Sequence, residues 1–423
     1  MRILFFTHYF PPEVNAPATR TFEHCREWVR AGHEVHVITC IPSHPHGTPF
    51  QGFRRAWYRR NLVDGIHVHR VWTYLAPNRG VVRRTLNYLS FAPMAVVRAL
   101  RLGRFDVAVG TSPQFFCAVA AWIYTRACRT PFVFELRDLW PESIGAVGAF
   151  RASVVLRLLA RIELRLYHDA EAVVCLTEAF IRSLQNRGID AAKLHWIPNG
   201  VDMSFWEADR AVSRAALEVR DDEVLACYAG TIGMAHGLET LMQAARSLRV
   251  LAPRVRIVIA GDGAELRVLR DIASRDGLDE VRFMGLVPRQ SVPGILAASD
   301  IALVTLRPAP VFSTVLPSKM FEAMAAGKPI VLAVDGEASD MLARAAGGVA
   351  VPPGDADSLA AAIAHLALNP RERVRMGASA QRFVATEFSR NRWADRYSSL
   401  LAGISKTAAD ARPASSAAVR LGN

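Results

Sequence analysis

The strongest constraint on this fold is a regular alternation of short apolar strands with amphipathic helices, which runs through most of the 423 residues. Arg2–Thr7 has the pattern of a buried strand, and residues 17–31 have the pattern of a helix that stops at Gly32. Glu34–Thr39 then has the pattern of a second strand. Strands joined by a helix pair in parallel, because the helix returns the chain to the edge where the first strand began. The opening of the chain therefore predicts a βαβ unit.

The alternation occurs in two series, separated by a polar, helix-breaking stretch at residues 198–222. The further strands that we predict are residues 107–111, 132–136, 172–177 and 195–198 in the first series, and 224–229, 256–260, 281–284, 301–305 and 330–334 in the second. The predicted fold class is α/β, with two doubly wound, Rossmann-like domains facing a central cleft. We place these domains at residues 1–200 and 201–385. A last helix follows at residues 386–405, and the pattern does not decide whether it packs back on the first domain. The Ala/Ser/Pro-rich residues 406–423 are predicted to be disordered.

The clearest functional signal is a polar turn that leads into a short predicted helix. Pro317 suits the first turn of a helix, which places Ser318 and Lys319 where the backbone amides have no intrahelical partner. Such a turn attracts anions, and Lys319 adds a formal positive charge. Glu322 lies on the same face and can accept hydrogen bonds from sugar hydroxyls. Phosphate and ribose recognition together indicate a nucleotide; the alternative is an ordinary pair of opposite charges on a helix surface.

The charge balance indicates an anionic partner. Lys and Arg number 51 against 39 Asp and Glu, which gives a net charge of +12. Nucleic acid, an anionic membrane and phosphorylated small molecules all suit such a chain. The first half holds many of the basic residues, next to apolar and aromatic ones: Arg54, Arg55, Arg59, Arg60, Arg79, Arg83, Arg84, Arg98, Arg101 and Arg104. This surface either lies on acidic headgroups or is a solvated basic face.

Several features favour a cytoplasmic protein without a metal. The six cysteines form no Cys-x-x-Cys pair, and the chain opens as a strand instead of a signal peptide. The histidines at 33, 36, 44 and 46 lack Cys or carboxylate partners at ligand spacing, so we predict core or surface roles for them. Phe115–Thr125 is the longest suspicious apolar run and is too short to span a bilayer.

Five short motifs occur at the ends of predicted strands. They are Phe10-Pro11-Pro12, residues 198–202 (Pro-Asn-Gly-Val-Asp), residues 228–231 (Tyr-Ala-Gly-Thr), residues 261–263 (Gly-Asp-Gly) and residues 321–324 (Phe-Glu-Ala-Met). In this order, over nearly the whole chain, they resemble the retaining glycosyltransferases of family 4, which have the GT-B architecture. Residues 135–142 and 317–319 are similar to a branch that acts in bacterial O-antigen, capsule and exopolysaccharide assembly and that includes N-acetyl-L-fucosamine transferases.

The resemblance implies transfer of a sugar, a hexosamine or 6-deoxyhexosamine, from a UDP-sugar to a polyprenyl-diphosphate-linked saccharide. Transfer would retain the anomeric configuration and need no metal or other cofactor. The protein would act in the cytoplasm, peripherally on the inner face of the cell membrane, and would bind no nucleic acid. The implied catalytic residues are Lys319, Arg137 and Asp138. The implied donor-binding residues are Glu322, Ser318, Thr314, Thr231, His236, Gly230 and Gly261. The implied acceptor-binding residues are Asn15, Thr19 and Arg20.

The chain departs from the family pattern at four places, one of which is Asn15-Ala16 in place of the usual Gly pair in the loop at residues 9–20. Many relatives have a His-Asp pair where Arg137 and Asp138 stand, and Thr314 replaces the earlier of two glutamates. Arg137 either binds an acidic or amide-bearing donor sugar, or forms a buried pair with Asp138 or Glu135. Residues 230–237 lack the usual Arg and Lys for the diphosphate, and Lys319 is the candidate that compensates.

Two local roles stay open. His236 is the remaining basic residue of its loop, and it either contacts phosphate, which would favour its protonation, or caps a helix. Asn199–Asp202 lies at the expected hinge between the domains and is either a turn or a ligand contact.

Two other functions fit parts of the pattern. A UDP-sugar 2-epimerase has the same two-domain architecture and would convert a free donor without any acceptor. A non-catalytic binder of nucleotide sugars or nucleic acid would also use the positive charge. The chain lacks basic and aromatic residues arranged on a nucleic-acid-binding module, which disfavours nucleic acid.

Overall fold

The computed structural model describes residues 1–77, 81–139, 154–207 and 212–410, which form two α/β domains. The first contains an eight-stranded sheet in the order β3-β4-β2-β1-β5-β6-β7-β8. Its strands are β1 (Arg2–Phe6), β2 (Glu34–Cys40), β3 (Tyr58–Val63), β4 (Ile66–Val71), β5 (Val107–Thr111), β6 (Phe132–Leu136), β7 (Ala172–Cys175) and β8 (Leu194–Trp196). All neighbours are parallel except β3 and β4. Because β2 and β5 lie on opposite sides of β1, the carboxyl end of β1 is a switch point, where ligands bind in such sheets.

Helices cover both faces of the first sheet. They are α1 (Ala16–Arg30), α2 (Val81–Arg101), α3 (Phe115–Cys128), α4 (Val154–Asp169) and α5 (Glu178–Asn186). Helix α1 begins at Asn15, whose side chain accepts a hydrogen bond from the backbone N–H of Ala18 at 2.9 Å, with Pro17 in the first turn. Helices α2 and α3 pack on the face that presents Leu4 and Phe6.

The second domain contains a parallel six-stranded sheet in the order β11-β10-β9-β12-β13-β14. Its strands are β9 (Val224–Ala229), β10 (Val255–Ala260), β11 (Val281–Gly285), β12 (Ile301–Thr305), β13 (Ile330–Ala333) and β14 (Gly348–Ala350). Its helices are α6 (Met203–Glu207), α7 (Leu238–Leu251), α8 (Leu266–Arg275), α9 (Val292–Ala298), α10 (Ser318–Ala325), α11 (Glu337–Ala345), α12 (Ala356–Leu368) and α13 (Pro370–Glu387). The predicted pair of Rossmann-like domains is confirmed.

The chain crosses between the domains twice, and the two crossings lie side by side. Val201 and Ser389 form a parallel β-bridge. The Val201 N–H donates to Phe388 O at 2.9 Å, and the Arg390 N–H donates to Val201 O at 2.8 Å. Residues 199–202 lie at this connection between the domains, with Val201 in the β-bridge, and both the turn and the ligand contact stay predictions.

The last helix, α14 (Arg390–Asp410), packs on α1 of the first domain. Trp28 Nε1 donates to Ala394 O at 3.2 Å, and Tyr397 and Leu401 are buried in the core of the first domain. The predicted start of disorder at residue 406 is wrong, because the helix continues to Asp410. Alanines at 408 and 409 favour helix here, although their abundance suggested a low-complexity tail. Residues 411–423 lie outside the described residues.

The sequence pattern missed the antiparallel hairpin of β3 and β4. Strand β3 is the edge of the sheet and alternates exposed with half-buried residues, so its basic side chains obscured its strand character. The predicted surface residue Arg79 and the motif residues 140–142 lie outside the described residues. The run Phe115–Thr125 forms most of α3, and within the described part of the chain no helix is both long and apolar enough to cross a bilayer.

Candidate active site

Two glycine-rich loops lie in contact at the carboxyl ends of β9 and β10. Gly230 N–H donates to Ala260 O at 2.8 Å, and Ile232 N–H donates to Asp262 O at 2.9 Å. A Cβ on Gly261 would overlap the carbonyl oxygen of Gly230. The loops therefore approach backbone to backbone, which brings their amide groups to one edge of the sheet.

Helix α10 places Lys319 directly over this pair of loops. A Cβ on Gly230 would overlap the Lys319 side chain, and Lys319 Nζ lies 5.1 Å from the centre of the Tyr228 ring. Pro317 is the residue before the helix, one position earlier than predicted, so the free amides belong to Ser318 and Lys319. Burial lowers the pKa of Lys319 to about 8, although Glu322 opposes that shift.

Glu322 lies one turn further along α10 and is half-buried, like Lys319. Burial raises its pKa, and the positive charge of Lys319 opposes the rise. Within the described residues, neither side chain has a hydrogen bond or an ion pair, so the alternative of an ordinary surface pair is not observed. Two half-buried charged groups without a hydrogen bond or an ion pair incur a desolvation cost that a ligand can offset.

His236 stays neutral in this loop. Burial, with the nearby charge of Lys319, lowers its pKa to about 3. Its Nδ1 lies 3.2 Å from Gly233 O, and its own carbonyl accepts from Thr305 Oγ1 at 2.7 Å. A contact of His236 with phosphate, which would favour its protonation, stays a prediction. The helix-capping alternative is not observed, because α7 begins after Gly237 without a side-chain cap.

The two threonines occupy different surroundings. Thr231 is exposed, and its carbonyl accepts a 2.6 Å hydrogen bond from the Tyr228 hydroxyl. Thr314 ends a 3-10 turn, Pro310–Thr314, and its hydroxyl donates to Val311 O at 2.7 Å. The oxygen of Thr314 therefore remains available as an acceptor, but this position supplies no carboxylate.

Arg307 is a residue that the sequence analysis missed. It follows the carboxyl end of β12, and its backbone N–H donates to Ala235 O at 2.8 Å. Its guanidinium lies 3.5 Å from Glu265 Oε1. The loop that lacks an Arg and a Lys of its own thus has a cation beside it. Its place just after a predicted strand was the signal that could have identified it.

On the first domain, Arg137 and Asp138 follow β6. Both backbone N–H groups donate to Ser112 Oγ, at 2.8 and 3.3 Å, and the Arg137 guanidinium donates to Pro17 O at 3.3 Å. Burial lowers the pKa of Arg137 to about 9, and Glu135 opposes the shift. The Glu135 carboxylate instead makes its ion pair with Arg20, so the alternative of an Arg137–Glu135 pair is not observed.

Two of the three predicted acceptor-binding residues make structural contacts; the acceptor role is wrong for Arg20 and stays a prediction for Asn15. Arg20 is 1% exposed, pairs with Glu135 at 3.3 Å and donates to Pro198 O at 2.7 Å, so it supports the domain connection and cannot reach an acceptor. Asn15 caps α1. The sequence could not show the buried ion pair of Arg20, since Arg20 and its partners are far apart in the chain. Thr19 is half-buried on α1, and its acceptor role stays a prediction.

Ionic contacts join the domains beside the cleft. Glu23 of α1 accepts a hydrogen bond from Arg289 of the second domain at 2.6 Å, and its other oxygen lies 2.8 Å from Arg390 Nε, at the start of α14, in an ion pair. Glu337 of α11 accepts from the backbone N–H groups of Glu178 and Ala179, at 2.8 and 2.6 Å, and so caps α5 across the cleft. These contacts hold the two carboxyl edges close together.

The expectation that His36 has no carboxylate partner is wrong. Glu34 Oε1 lies 2.8 Å from His36 Nε2. One ligand atom each from Glu34, His36 and His67, a carboxylate oxygen and two ring nitrogens, lie within 4.8 Å of one another. Strand pairing creates this cluster, because β2 and β4 place His36 opposite His67. It lies toward the amino ends of those strands, away from the glycine loops, and Arg2 binds the other oxygen of Glu34 at 3.1 Å.

Two family models match most of the chain. Residues 15–200 match the model described as a glycosyl transferase 4-like domain, and residues 209–383 match the one described as glycosyl transferases group 1. The first matched region lies within the first domain, from the start of α1 to the end of β8, and the second lies within the second domain.

Among known proteins, the chain is 26% identical over 384 residues to the "Putative colanic acid biosynthesis glycosyl transferase WcaI" of Escherichia coli, with 88% of this chain and 93% of that protein covered. It is 28% identical over 242 residues to the GDP-mannose-dependent alpha-(1-6)-phosphatidylinositol monomannoside mannosyltransferase of Mycobacterium tuberculosis, with 56% and 62% covered. The solved structure of Anabaena HepE in complex with UDP-glucose is similar with a TM-score of 0.71 and 19% identity, covering 95% of this chain and 100% of that one. At such identity the similarity is one of fold.

Proposed function

We propose that this chain, which is a glycosyltransferase of the GT-B fold and of the family 4 type, moves a hexosamine or 6-deoxyhexosamine from a UDP-sugar to a polyprenyl-diphosphate-linked saccharide. The transfer retains the anomeric configuration, needs no metal, and serves bacterial surface polysaccharide synthesis. The similarity to the colanic acid transferase supports the polysaccharide pathway. The family resemblance supports retention.

The observation that carries this proposal is the pair of unpartnered charges on α10. The diphosphate lies against Lys319 and the free amides of Ser318 and Lys319, above the glycine loops. When the sugar leaves, negative charge grows on the diphosphate, and a positive charge already fixed in place stabilises that charge without reorganisation. Glu322 accepts hydrogen bonds from the ribose hydroxyls. Arg307, which is ion-paired with Glu265, lies beside the same loops.

Arg137 and Asp138 complete the proposed site from the first domain. Their loop follows β6 and is fixed by Ser112 and Pro17. Arg137 contacts the transferred sugar at an acidic or amide substituent, which suits an N-acetylated hexosamine. The contacts of Glu23 and Glu337 hold this loop opposite the donor.

An assay of purified protein tests the proposal. UDP-, GDP- and dTDP-sugars are each combined with a polyprenyl-diphosphate saccharide, and the lipid is analysed by mass spectrometry. GDP-sugars are included because the mycobacterial relative is GDP-mannose-dependent. We expect a mass gain from one UDP-sugar. Conversion of the donor to an isomer without acceptor would indicate the epimerase instead, and a gain with GDP-sugars alone would contradict the donor class.

Glu322→Ala is expected to weaken the binding of UDP and of uridine by the same factor, about 10- to 100-fold, because a carboxylate that accepts hydrogen bonds contributes roughly 1.5–3 kcal/mol. Titration calorimetry measures both affinities. Glu239→Ala is the matched control, since Glu239 is an exposed carboxylate in the first turn of α7. A variant that loses UDP affinity but keeps uridine affinity would show that Glu322 does not contact the ribose.

Helix α2 is the surface that we propose lies on the membrane. Its exposed apolar residues fall on one outward face: Val82, Leu86, Leu89, Val97 and Leu100. Arg83 and Arg101 flank this stripe. On the neighbouring edge, Trp57 and Leu62 are 71% and 67% exposed. An apolar stripe bordered by cations suits the anionic headgroups of a bilayer.

Sedimentation with phosphatidylglycerol vesicles checks this surface. We expect binding at about 20 mM salt that is largely lost at about 500 mM, because the screening length shortens severalfold over that range. The triple change Val82→Ser, Leu86→Ser and Leu89→Ser should reduce binding at low salt. Val374→Ser, an equally exposed valine of the second domain, should not. Wild-type protein that ignores the vesicles at low salt would rule out the membrane element of the proposal.

A further inference from the structure

Two histidines and a glutamate converge at the amino edge of the first sheet, the edge opposite the switch point of β1. Glu34 begins β2 and His36 follows two positions later, so both side chains lie on one face of the sheet. The register of β2 and β4 places His67 directly opposite His36. Their ligand atoms, a carboxylate oxygen and two imidazole nitrogens, are of the types that zinc and neighbouring divalent metals bind.

The three ligand atoms need only a small adjustment to share one ion. Two ligands of a tetrahedral zinc ion, each about 2.0–2.1 Å from it, are about 3.3 Å apart. The 2.8 Å between His36 Nε2 and Glu34 Oε1 would widen by about 0.5 Å, and the third atom, within 4.8 Å, would approach by at most about 1.5 Å. Glu34 is exposed and His67 is half-buried, so both side chains have room to make this shift.

A chain of hydrogen bonds orients the ring of His36. Its Nδ1 lies 3.0 Å from His69 Nε2, and His69 Nδ1 lies 3.0 Å from the Tyr58 hydroxyl. Arg98 of α2 donates to the same hydroxyl at 2.6 Å. A histidine that binds a metal through one nitrogen usually makes a hydrogen bond through the other, which fixes the tautomer. His36 has that second contact already, on the side away from Glu34.

This chain can run in either direction without the gain or loss of a proton. In one direction, Tyr58 donates to His69, and His69 donates to His36 Nδ1. His36 Nε2–H then donates to Glu34. In the other direction, His36 donates to His69, and His69 donates to the Tyr58 oxygen. Since Tyr58 is exposed, its own hydroxyl hydrogen can turn to water. His36 Nε2 then presents a lone pair to the Glu34 carboxylate, an arrangement that a cation between them stabilises.

Two arginines beside the cluster have opposite effects on a bound ion. Arg2 lies 3.1 Å from the second oxygen of Glu34, so it holds the carboxylate as outer partners of metal ligands do. Arg60 donates to His67 Nδ1 at 3.0 Å. A neutral imidazole has one nitrogen lone pair, which serves either this hydrogen bond or a metal. Arg60 therefore competes with a metal for His67, and as an exposed side chain it can move away.

We propose that Glu34, His36 and His67 bind a zinc ion, with water as the fourth ligand. Imidazole ligands favour zinc over Mg²⁺ and Ca²⁺, which prefer sites made of oxygen. The ion joins β2 to β4 and so fastens the β3–β4 hairpin to the rest of the sheet. This site goes beyond the proposed transfer reaction, which does not use it, because the donor and the sugar lie at the carboxyl edges of the two sheets.

Zinc titration of the full-length protein without a histidine tag tests the site. Metal is first removed with EDTA, and a chromophoric chelator then competes for added zinc. We expect one zinc ion to bind per chain and to raise the melting temperature relative to protein in EDTA. Magnesium at the same concentration should do neither.

Four variants locate the ion. His67→Gln should weaken zinc binding at least about tenfold and abolish the rise in melting temperature. Tyr58→Phe should also weaken binding, because it removes the acceptor at the end of the His69 chain. Arg60→Gln should tighten binding, because it removes the competing donor. His365→Gln is the matched control: His365 lies 2.5 Å from Glu372, but in the described part of the chain no third metal-binding group lies beside that pair.

The outcomes test the ligand set and keep it separate from the proposed function. Absence of zinc binding, equal affinity in His67→Gln and wild type, or an equal loss in His365→Gln would each overturn the site. Weaker binding in Arg60→Gln would contradict the assigned competition, and a gain of affinity there cannot arise from misfolding. EDTA-treated protein should transfer sugar as fast as zinc-loaded protein. A loss of transfer in EDTA alone would contradict the metal-independent reaction and leave this site standing.

Discussion

Lys319→Ala is expected to reduce kcat by about 10²–10³-fold while changing the affinity for the UDP-sugar much less. The reason is that Lys319 acts most strongly when charge develops on the departing diphosphate, and removing one preorganised group of this kind typically costs that much. Steady-state kinetics with separate kcat and KM values measures the effect. Lys328→Ala is the control, since Lys328 is a nearby lysine whose amine donates to Ala297 O at 2.7 Å. Unchanged turnover in Lys319→Ala would show that the donor lies elsewhere.

The same lysine predicts a pH dependence. Burial lowers its pKa to about 8, so the amine is charged below that pH and loses its proton above it. The kcat/KM for the donor should therefore fall as the pH rises through about 8, because this parameter reports the free enzyme. In Lys319→Arg, whose guanidinium stays charged, that alkaline decline should disappear. A decline that persists unchanged in the arginine variant belongs to another group.

Gly261→Ala is expected to weaken UDP binding by about 10²-fold, because an added Cβ overlaps the Gly230 carbonyl and forces the two glycine loops apart. The atoms that this Cβ would overlap belong to the Gly230 backbone, so no flexible side chain can move aside. The loop that would be displaced is the one that lies against Lys319. Titration calorimetry measures the affinity, and thermal unfolding confirms that the variant is folded.

Gly277→Ala separates this effect from backbone strain alone. Gly277 also has a positive φ, of 58°, but no atom lies within 4 Å of the place where its Cβ would be. We expect it to lower stability by about 1 kcal/mol and to leave UDP affinity unchanged. If folded Gly261→Ala binds UDP as the wild type does, the donor is not held by these loops.

Local patterns located the strands and helix α10 well. The bounds predicted for β5, β6, β9 and β12 are those of the structure, since a buried parallel strand is a continuous apolar run with clear ends. Lys319 and Glu322 could be assigned for a similar reason: a helix start follows from proline placement, and side chains three residues apart share a face.

Contacts between distant segments could not be predicted in this way. Arg20 pairs with Glu135 from a strand more than 100 residues away, and nothing near either residue marks the pairing. The low pKa of His236 has the same origin, because it depends on burial and on Lys319 from another element.

The place of the last helix affects how the protein can be made. The core that contains Phe5 and Trp28 also contains Tyr397 and Leu401, so the first domain consists of the opening residues together with α14. A ribosome delivers one of these parts before the second domain and the other after it. The first domain therefore cannot complete the burial of its apolar face until the second domain has been produced, and a fragment that stops at the first crossing lacks part of its core. The order of synthesis ties the completion of one domain to that of the other.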